Sequence, residues 1–204
     1  MFRSHKNIII REVIAEDATQ LTAWWNDGKV MAHAGFPKGL GTTVEAVSKQ
    51  IEEQSKKNCR HMILYANKTG DAMNCREALG RVDEEVCREG YRPIGEMNYR
   101  EIDESTCEMG IKICEADMQN KGLGKIILSL FIEGLFTECG YEKILLDTNL
   151  DNKRAQHVYE QLGFRKVRVN ENAWKDQLGE WQSSVDYELT EREFVSHLQA
   201  NQKL

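Results

Sequence analysis

A glycine-rich segment, Gln119 to Lys125, has the composition and setting of a phosphate-binding loop. It follows the alternating pattern of Met109 to Cys114, which predicts a strand, and leads into apolar residues at helical spacing from Leu123 to Leu135. The first turn of a helix has backbone N–H groups without intrahelical partners and a partial positive charge. Glycine at 122 and 124 would let a phosphate oxygen approach that backbone.

The spacing in this segment excludes two common phosphate motifs. A P-loop requires Ser or Thr after its Gly-Lys pair, and Ile126 occupies that position. The dinucleotide fingerprint requires a third glycine where the chain has Ile127. By itself the Gly-x-Gly also fits a plain turn, so a second motif is needed to support phosphate binding.

A second cluster begins about one strand later. Tyr141 to Asp147 contains an apolar run typical of a buried strand, and Asn149 to Asn152 supplies the side chains that cap a helix N-terminus. Arg154 to Leu162 then predicts a helix that ends at Gly163, before a strand over Arg165 to Val169. The element order is therefore strand, glycine loop, helix, strand, capped helix, strand.

Together, the two clusters resemble the GNAT superfamily of acetyl-CoA-dependent N-acetyltransferases. Its Arg/Gln-x-x-Gly-x-Gly/Ala loop is matched by Gln119, Gly122 and Gly124. Its second motif is matched by Asn152, Ala155, Tyr159 and Gly163-Phe164. By its layout the chain looks like the branch that contains ribosomal-protein and aminoglycoside N-acetyltransferases.

The resemblance implies an α/β (α+β) fold. Its central sheet would be mixed and mostly antiparallel, with about six to seven strands flanked by helices. The length of 204 residues and the 41% hydrophobic content suit one such domain across residues 1–204. A charged, glycine-punctuated insertion at about residues 67–92 departs from the family core and is expected to hold a short surface helix or to be mobile.

Hydrophobic patterns place the other elements. In the N-terminal half we expect a strand over Ile8 to Val13, a helix from Glu16 through Trp25, a helix from a Thr42-Thr43-Val44-Glu45 capping box to about Lys57, and strands over His61 to Ala66 and Pro93 to Arg100. Near the C-terminus we expect a strand over Ser184 to Leu189 and a helix from Glu191 to about Gln199.

The resemblance also implies acetyl-CoA as co-substrate and residues that would bind it. Asn120 through Lys125 would wrap the pyrophosphate, Asn152 would bond the pantetheine arm, and backbone N–H groups around Ile113 and Cys114 would stabilise the oxyanion. The full expected set is Ile113, Cys114, Gln119, Asn120, Lys121, Gly122, Leu123, Gly124, Lys125, Asn152, Ala155 and Tyr159. Lys121, Lys125, Lys153 and Arg154 are either phosphate partners or ordinary solvated cations.

Acetyl transfer to an amine needs a base, an oxyanion donor and a proton for the departing thiolate. The family's general acid corresponds to Tyr159, which otherwise would be a packing tyrosine. For the base, different branches of the family place an acid at the positions of Glu108 and of Asp147, and we rank Glu108 first. Glu96 is a third candidate. Each of the three could also be an ordinary strand carboxylate. His157 lies on another face of the helix from Tyr159 and is predicted to be a surface residue.

The acceptor amine is not evident in the sequence. A protein α-amine and a small polyamine or aminoglycoside both fit a direct transfer in a ternary complex. Aromatic side chains near the expected pocket are either acceptor contacts or core residues: Trp24, Trp25, Phe36, Trp174 and Trp181. The alternative to an enzyme is a non-catalytic acetyl-CoA sensor or partner subunit.

Composition narrows the remaining classes. A net charge of −6 argues against nucleic-acid binding, and no apolar run has the length of a membrane span or a signal-peptide core. The six cysteines form no Cys-x-x-Cys pair, so neither a zinc site nor a redox motif is indicated, and reduced thiols are expected. Cys75 and Cys87 lie in a polar stretch, and a disulfide between them is the alternative. We expect a cytoplasmic protein, in which an exposed edge strand near the C-terminus would support a homodimer.

Overall fold

The apolar runs form the strands of one sheet in the computed structural model, which describes residues 2–5, 7–54, 59–67 and 90–198. The strands are β1 (Phe2–His5), β2 (Ile8–Glu12), β3 (Cys59–Asn67), β4 (Tyr91–Glu101), β5 (Thr106–Ile113), β6 (Lys143–Asn149), β7 (Arg165–Lys175) and β8 (Trp181–Thr190). Within the described residues, the sheet order is β1-β2-β3-β4-β5-β6-β8-β7, and only β5 and β6 are parallel neighbours. The predicted fold class is confirmed, with one strand more than the upper expectation.

Five α-helices accompany the sheet in the described part of the chain. They are α1 (Ala18–Asn26), α2 (Gly28–Met31), α3 (Val44–Gln54), α4 (Leu123–Thr137) and α5 (Lys153–Gln161). At the start of α3 the Thr43 hydroxyl accepts a hydrogen bond from the Ala46 N–H at 3.3 Å, as a capping threonine should. The predicted end of this helix near Lys57 lies outside the described residues.

Alternate residues of the central strands enter two different cores. In β2, Ile8 and Ile10 belong to the core that packs against α4, whereas Ile9 belongs to the core that packs against α1 and α3. Both cores exclude water almost completely, since these three side chains are at most 2% exposed. The sheet is therefore covered on both faces, with α4 and α5 on one side and α1 to α3 on the other.

A gap opens in the middle of the sheet between β5 and β6. The two strands pair only where residues 106–108 meet residues 143–145. Beyond that point β5 continues to pair with β4 as far as Ile113, and β6 continues to pair with β8 as far as Asn149. Each strand thus keeps its outer partner, and the inner edges of the two strands separate.

The predicted helix from Glu191 to about Gln199 is wrong over the described residues. Only a 3-10 turn forms, over Glu191–Glu193, and the chain then runs extended to residue 198. The ring of Phe194 packs against Phe136 of α4, the Val195 N–H donates to the Leu162 carbonyl at 2.9 Å, and the His197 N–H donates to the Ser129 hydroxyl at 2.9 Å. These contacts use backbone donors that a helix would need for itself.

Strand β1 has no counterpart among the predicted elements. It pairs antiparallel with β2, and Arg3 donates to the Leu130 carbonyl at 3.0 Å and to the Glu138 carboxylate at 3.0 Å, both in or next to α4. A four-residue strand with one apolar and three polar side chains has too short a pattern to be recognised in the sequence.

Most of the predicted insertion lies outside the described residues, because only residues 67 and 90–92 of that stretch are described. The helix considered over Arg76 to Arg88 and the cysteines at 75 and 87 are among the undescribed positions. Among the other cysteines, Cys107, Cys114 and Cys139 are free thiols. In the described ranges, none of the helices combines the length and the apolar content that crossing a bilayer requires.

Candidate active site

The glycine segment folds into a tight loop at the N-terminus of α4. Gln119 donates from its side-chain amide to the Ile113 carbonyl at 2.8 Å, which ties the loop to the end of β5. Asn120 and Gly122 have φ angles of +59° and +75°, in the left-handed region that most side chains avoid. A methyl group built on Gly122 or Gly124 would meet no atom within 4 Å, so the space in front of this backbone is open. The loop therefore has room for a phosphate group against free helical N–H groups.

A cavity of about 770 Å³ extends from this loop into the gap between β5 and β6. Its walls come from the loop, the inner edges of the two strands, the first two turns of α5, and residues 29–34 around the end of α2. Of the residues predicted to bind the cofactor, those on the wall are Ile113, Gln119, Asn120, Gly122, Leu123, Gly124, Lys125, Asn152, Ala155 and Tyr159. The structure thus brings ten predicted residues together around one cavity.

Two predicted cofactor residues are placed differently. The Cys114 N–H donates to the Ile94 carbonyl at 2.8 Å, so it is engaged within the sheet instead of facing the gap. Cys114 is buried, and burial raises the pKa of its thiol well above the usual value. Lys121 is exposed and lies outside the cavity wall.

Helix α5 begins at the cavity and is positioned by its own cap. The Asn152 side-chain oxygen accepts a hydrogen bond from the Ala155 N–H at 3.2 Å, and Gln156 donates to the Leu150 carbonyl at 2.7 Å. The capping chemistry recognised in the sequence is therefore confirmed. Because its oxygen is held by the helix, Asn152 keeps its amide N–H₂ group on the cavity wall.

Arg154 connects α5 to the phosphate loop. Its guanidinium donates to the side-chain oxygen of Asn120 at 2.9 Å and to that of Gln119 at 3.4 Å. In the sequence Arg154 is only one of several cations, because a contact over 34 residues leaves no local pattern. These two hydrogen bonds hold the loop and keep a positive charge beside it.

Arg154→Ala is expected to weaken acetyl-CoA binding about tenfold while kcat at saturation changes less than about twofold. The variant loses the hydrogen bonds to the loop and a cation on the cavity wall. Both contribute to binding of acetyl-CoA, and neither acts on the bonds that break during acetyl transfer. Isothermal titration with acetyl-CoA measures the effect. Lys153→Ala is the matched control, since Lys153 is an exposed neighbouring cation outside the cavity. Equal weakening by the two variants would mean that only general charge matters.

Tyr159 lies on the α5 wall of the cavity with its ring packed against Phe164 and Tyr187, at centroid distances of 5.7 and 5.9 Å. The residue is 6% exposed. Burial and the negative charge of Asp147 raise the pKa of Tyr159 to about 12. The phenol is therefore protonated at neutral pH and can donate a hydrogen bond or a proton.

The three candidate carboxylates occupy different environments. Glu108 forms an ion pair with Arg100 on the neighbouring strand, and this pair is partly open to solvent. Asp147 is an exposed residue of the cavity wall and makes no ion pair with any described residue. Its pKa is raised by partial desolvation at the wall and by the negative charges of Glu108 and Asp186. Glu96 is 2% exposed and fully engaged by neighbouring donors.

A second cavity, of about 540 Å³, lies on the sheet face that carries α1 and α2. It meets the first cavity along a shared wall made of Asn98, Gly110, Lys112 and Asp147. Asp147 is thus accessible from both cavities, whereas Glu108 lines only the second. Asn98 and Lys112 were not predicted as site residues, because no local motif distinguishes them from other polar strand residues.

Glu96 is the centre of a buried polar network below the second cavity. Its carboxylate accepts hydrogen bonds from Trp25 Nε1 at 3.0 Å to each oxygen and from His61 Nε2 at 2.7 Å, and Lys112 Nζ lies 2.5 Å away. Burial favours the neutral acid, but the hydrogen bond from His61 and the charge of Lys112 outweigh it and lower the pKa of Glu96 to about 2. A carboxylate with so low a pKa is a poor proton acceptor at neutral pH.

Glu96→Gln is expected to lower the free energy of unfolding at pH 7 by roughly 3 kcal/mol, the value of a pKa lowered from 4.5 to about 2. A depressed folded-state pKa stabilises the fold above the unfolded-state pKa, and this contribution is lost as the pH falls towards 2. The difference in free energy of unfolding between Glu96→Gln and wild type, measured by urea titration, should therefore be smaller at pH 3 than at pH 7. Glu53→Gln, in an exposed pair with Lys49, should show no such narrowing.

The hairpin between β7 and β8 closes against the loop that follows α2. Gln177 makes three hydrogen bonds there: its N–H donates to the Gly35 carbonyl at 2.8 Å, its side-chain oxygen accepts from the Lys38 N–H at 2.8 Å, and its amide donates to the Gly39 carbonyl at 3.0 Å. The Trp174 ring covers Gly35 so closely that a methyl group there would lie 2.2 Å from it. These contacts place Trp174 on the wall of the first cavity.

The five aromatic acceptor candidates separate into two groups. Trp174 lines the first cavity and Trp25 the second. Trp24 donates to the Glu115 carboxylate at 2.9 Å within the core, and Phe36 and Trp181 are exposed away from both cavities. His157 is exposed, as predicted for a surface residue.

Known proteins share this fold. The family model described as "Acetyltransferase (GNAT) domain" matches residues 7–165. Spermidine N-acetyltransferase from Vibrio cholerae, solved in complex with CoA and spermine, superposes with a TM-score of 0.73 at 16% identity over 93% of this chain and 98% of that one. A GNAT-family acetyltransferase from Bacillus anthracis superposes with a TM-score of 0.70 at 17% identity over 95% and 100%.

At these identities the solved structures establish the fold alone, and the family assignment depends on the matched sequence model. That model covers both motifs described above and well over half of the chain. The protein therefore belongs to the GNAT family of acetyltransferases.

Proposed function

We propose that this protein transfers the acetyl group of acetyl-CoA to a primary amine by direct attack in a ternary complex. The observation that carries the proposal is the junction of the two cavities. One cavity leads from a phosphate-sized loop to Tyr159, the other opens on the opposite face, and Asp147 is accessible from both. A site for a thioester would thus lie next to a separate entrance for an amine.

The residues of the first cavity suit acetyl-CoA. The N-terminus of α4 and the cations Lys125 and Arg154 on the cavity wall would hold the pyrophosphate and neutralise its charge. The amide of Asn152 and the inner edge of β5 would bind the pantetheine arm within the gap. Acetyl-CoA supplies the activated acyl group, and the chain supplies binding, orientation and proton transfer.

Ile113 is the backbone donor that we propose for the carbonyl oxygen. In an antiparallel pair, successive residues direct their N–H groups alternately to the partner and away from it. Because the Cys114 N–H donates to Ile94 in β4, the Ile113 N–H is directed to the other side, where β6 has separated from β5. A backbone donor on this edge would stabilise negative charge that develops on the oxygen.

Asp147 is the base that we propose, in preference to Glu108 and Glu96. It carries no cation partner among the described residues, and its raised pKa makes it a better proton acceptor than an ion-paired carboxylate. Glu108 is neutralised by Arg100, and Glu96 is held ionised by three donors. Asp147 would take the proton from the incoming ammonium group.

Tyr159 would give its proton to the thiolate as it leaves. Its phenol is neutral at physiological pH, lines the cavity, and makes no hydrogen bond to any other described residue. The hydroxyl is thus available to a bound ligand. Proton transfer from Tyr159 and proton acceptance by Asp147 would occur at opposite ends of the reacting centre.

The acceptor class is open to experiment. The spermidine N-acetyltransferase from Vibrio cholerae suggests a small amine, and the sequence resemblance adds protein α-amines and aminoglycosides. Thermal unfolding with and without acetyl-CoA, followed by thiol release against these three classes, tests the proposal. At a hundredfold excess over Kd, binding should stabilise the protein by ~2.7 kcal/mol.

Stabilisation with acceptor-dependent thiol release would support an acetyltransferase. Stabilisation without release for any amine would contradict the proposal and favour a non-catalytic acetyl-CoA sensor. Absence of stabilisation would contradict binding by the first cavity.

A further inference from the structure

The charges around the second cavity are nearly compensated. Its wall carries three carboxylates and two permanent cations among the described residues: Glu96, Glu108, Asp147, Arg100 and Lys112. Two of the carboxylates are already in ion pairs, because Glu96 is paired with Lys112 and Glu108 with Arg100. Among the described residues of the wall, Asp147 is the carboxylate without an ion pair and offers its negative charge to a ligand.

The neighbours of Asp147 do not add a second free charge. Asp186 lies directly across from it on β8, but its carboxylate accepts from Arg168 at 2.8 Å and from Asn170 at 2.8 Å. Lys112 shares the wall between the two cavities with Asp147, and Lys29 lines the first cavity. A second ammonium group on the acceptor would therefore meet paired carboxylates and cations.

The rest of the wall is suited to an uncharged body. Trp25 and Met31 are at most 8% exposed and line the cavity together with Leu40. Trp25 is held in place because its indole N–H donates to Glu96 and its ring stacks on His61 at 5.9 Å. Such a surface provides apolar contact without a second anionic site.

We infer that the acceptor is a primary amine with a single cationic centre and an uncharged, largely apolar body. This inference rests on the proposed acetyl transfer and specifies its acceptor. Asp147 would receive the one ammonium group, and polyamines would be poor substrates because a further positive charge is placed beside Lys112 or Arg100.

The test uses two matched pairs of acceptors that differ by one ammonium group. The first is hexylamine and 1,6-diaminohexane, and the second is Ala-Ala amide and Ala-Lys amide. For whichever pair the enzyme accepts, kcat/KM for the monocation should exceed that for the dication by about tenfold or more. An equal or better rate with the dication would overturn the inference.

A variant tests whether the compensated charges cause the preference. Arg100→Gln leaves Glu108 without its cation, so the ratio of dication to monocation kcat/KM should rise about fivefold. Arg165→Gln is the matched control, because Arg165 forms the same kind of cross-strand pair with Glu188 outside both cavities. The two arginine side chains are 60% and 61% exposed, so general surface charge is altered equally.

The outcomes separate this inference from the proposed function. An unchanged ratio in Arg100→Gln, or an equal rise in Arg165→Gln, would overturn the inference while acetyl transfer stands. Thiol release that favours dications in the wild type would do the same. If acetyl-CoA binds and no amine releases thiol, the proposed function fails and the inference fails with it.

Discussion

Tyr159→Phe is expected to lower kcat about 100-fold while the KM for acetyl-CoA changes less than about twofold. The substitution removes only the hydroxyl and keeps the ring that packs against Phe164 and Tyr187. Binding contacts of the first cavity are thereby retained, and the proton for the departing thiolate is lost. Steady-state kinetics at saturating acceptor measure both constants.

Tyr187→Phe is the matched control for this prediction. Tyr187 is also buried and contacts Tyr159, but its hydroxyl donates to Glu160 at 3.0 Å and it lines neither cavity. We expect kcat of this variant to remain within about twofold of wild type. A Tyr159→Phe enzyme with wild-type turnover would assign Tyr159 to packing and refute its role as the acid.

Asp147→Asn is expected to lower kcat/KM about 100-fold at neutral pH and to remove the acidic limb of the pH–rate profile. In the wild type, activity should fall as the pH drops through the raised pKa of Asp147, because the protonated carboxyl cannot accept a proton. Asparagine has nearly the same shape and cannot titrate. The profile of kcat/KM between pH 4 and pH 9 measures the change.

The fold should not suffer from Asp147→Asn. A raised folded-state pKa means that the ionised carboxylate costs folding free energy above its unfolded-state pKa. The variant should therefore melt no lower than wild type at neutral pH, and the loss of activity would be chemical. A lower melting temperature would contradict this account of the site.

Glu108→Gln distinguishes the two carboxylates. This variant should keep the acidic limb of the wild-type profile, because Glu108 is neutralised by Arg100 and lines only the second cavity. Loss of the limb in Glu108→Gln and its retention in Asp147→Asn would show that Glu108 is the base. Glu108 would then be the first candidate for the base, as the sequence resemblance implies.

Local signals explain what could be predicted. The glycines at 122 and 124, the Asn152 cap and the apolar periodicity of α4 are read within a few residues, and each is found where its pattern indicates. Their order along the chain also indicated the family, and the family implied the mixed sheet. The predictions for one domain, cytoplasmic location and a homodimer stay predictions.

Elements whose conformation depends on distant contacts were missed or wrong. The segment after Thr190 begins with a capping turn, yet Phe194 and Val195 are drawn into extended contacts with α4 and α5. A helix signal of one turn cannot outweigh such packing. The hydrogen bond from Arg154 to Asn120 and the hydrogen bonds of Gln177 likewise join residues that are far apart in the sequence.

The glycine loop, the capped helix that carries Tyr159 and the set of candidate carboxylates are all predictable from the sequence alone. These depend on local backbone preferences and on residue types, which are written along the chain. The sequence does not show that Glu108 and Glu96 are in ion pairs while Asp147, between two cavities, has no ion pair with any described residue. These differences arise on folding, because a pKa depends on desolvation and on charges from neighbouring strands that are distant in the sequence.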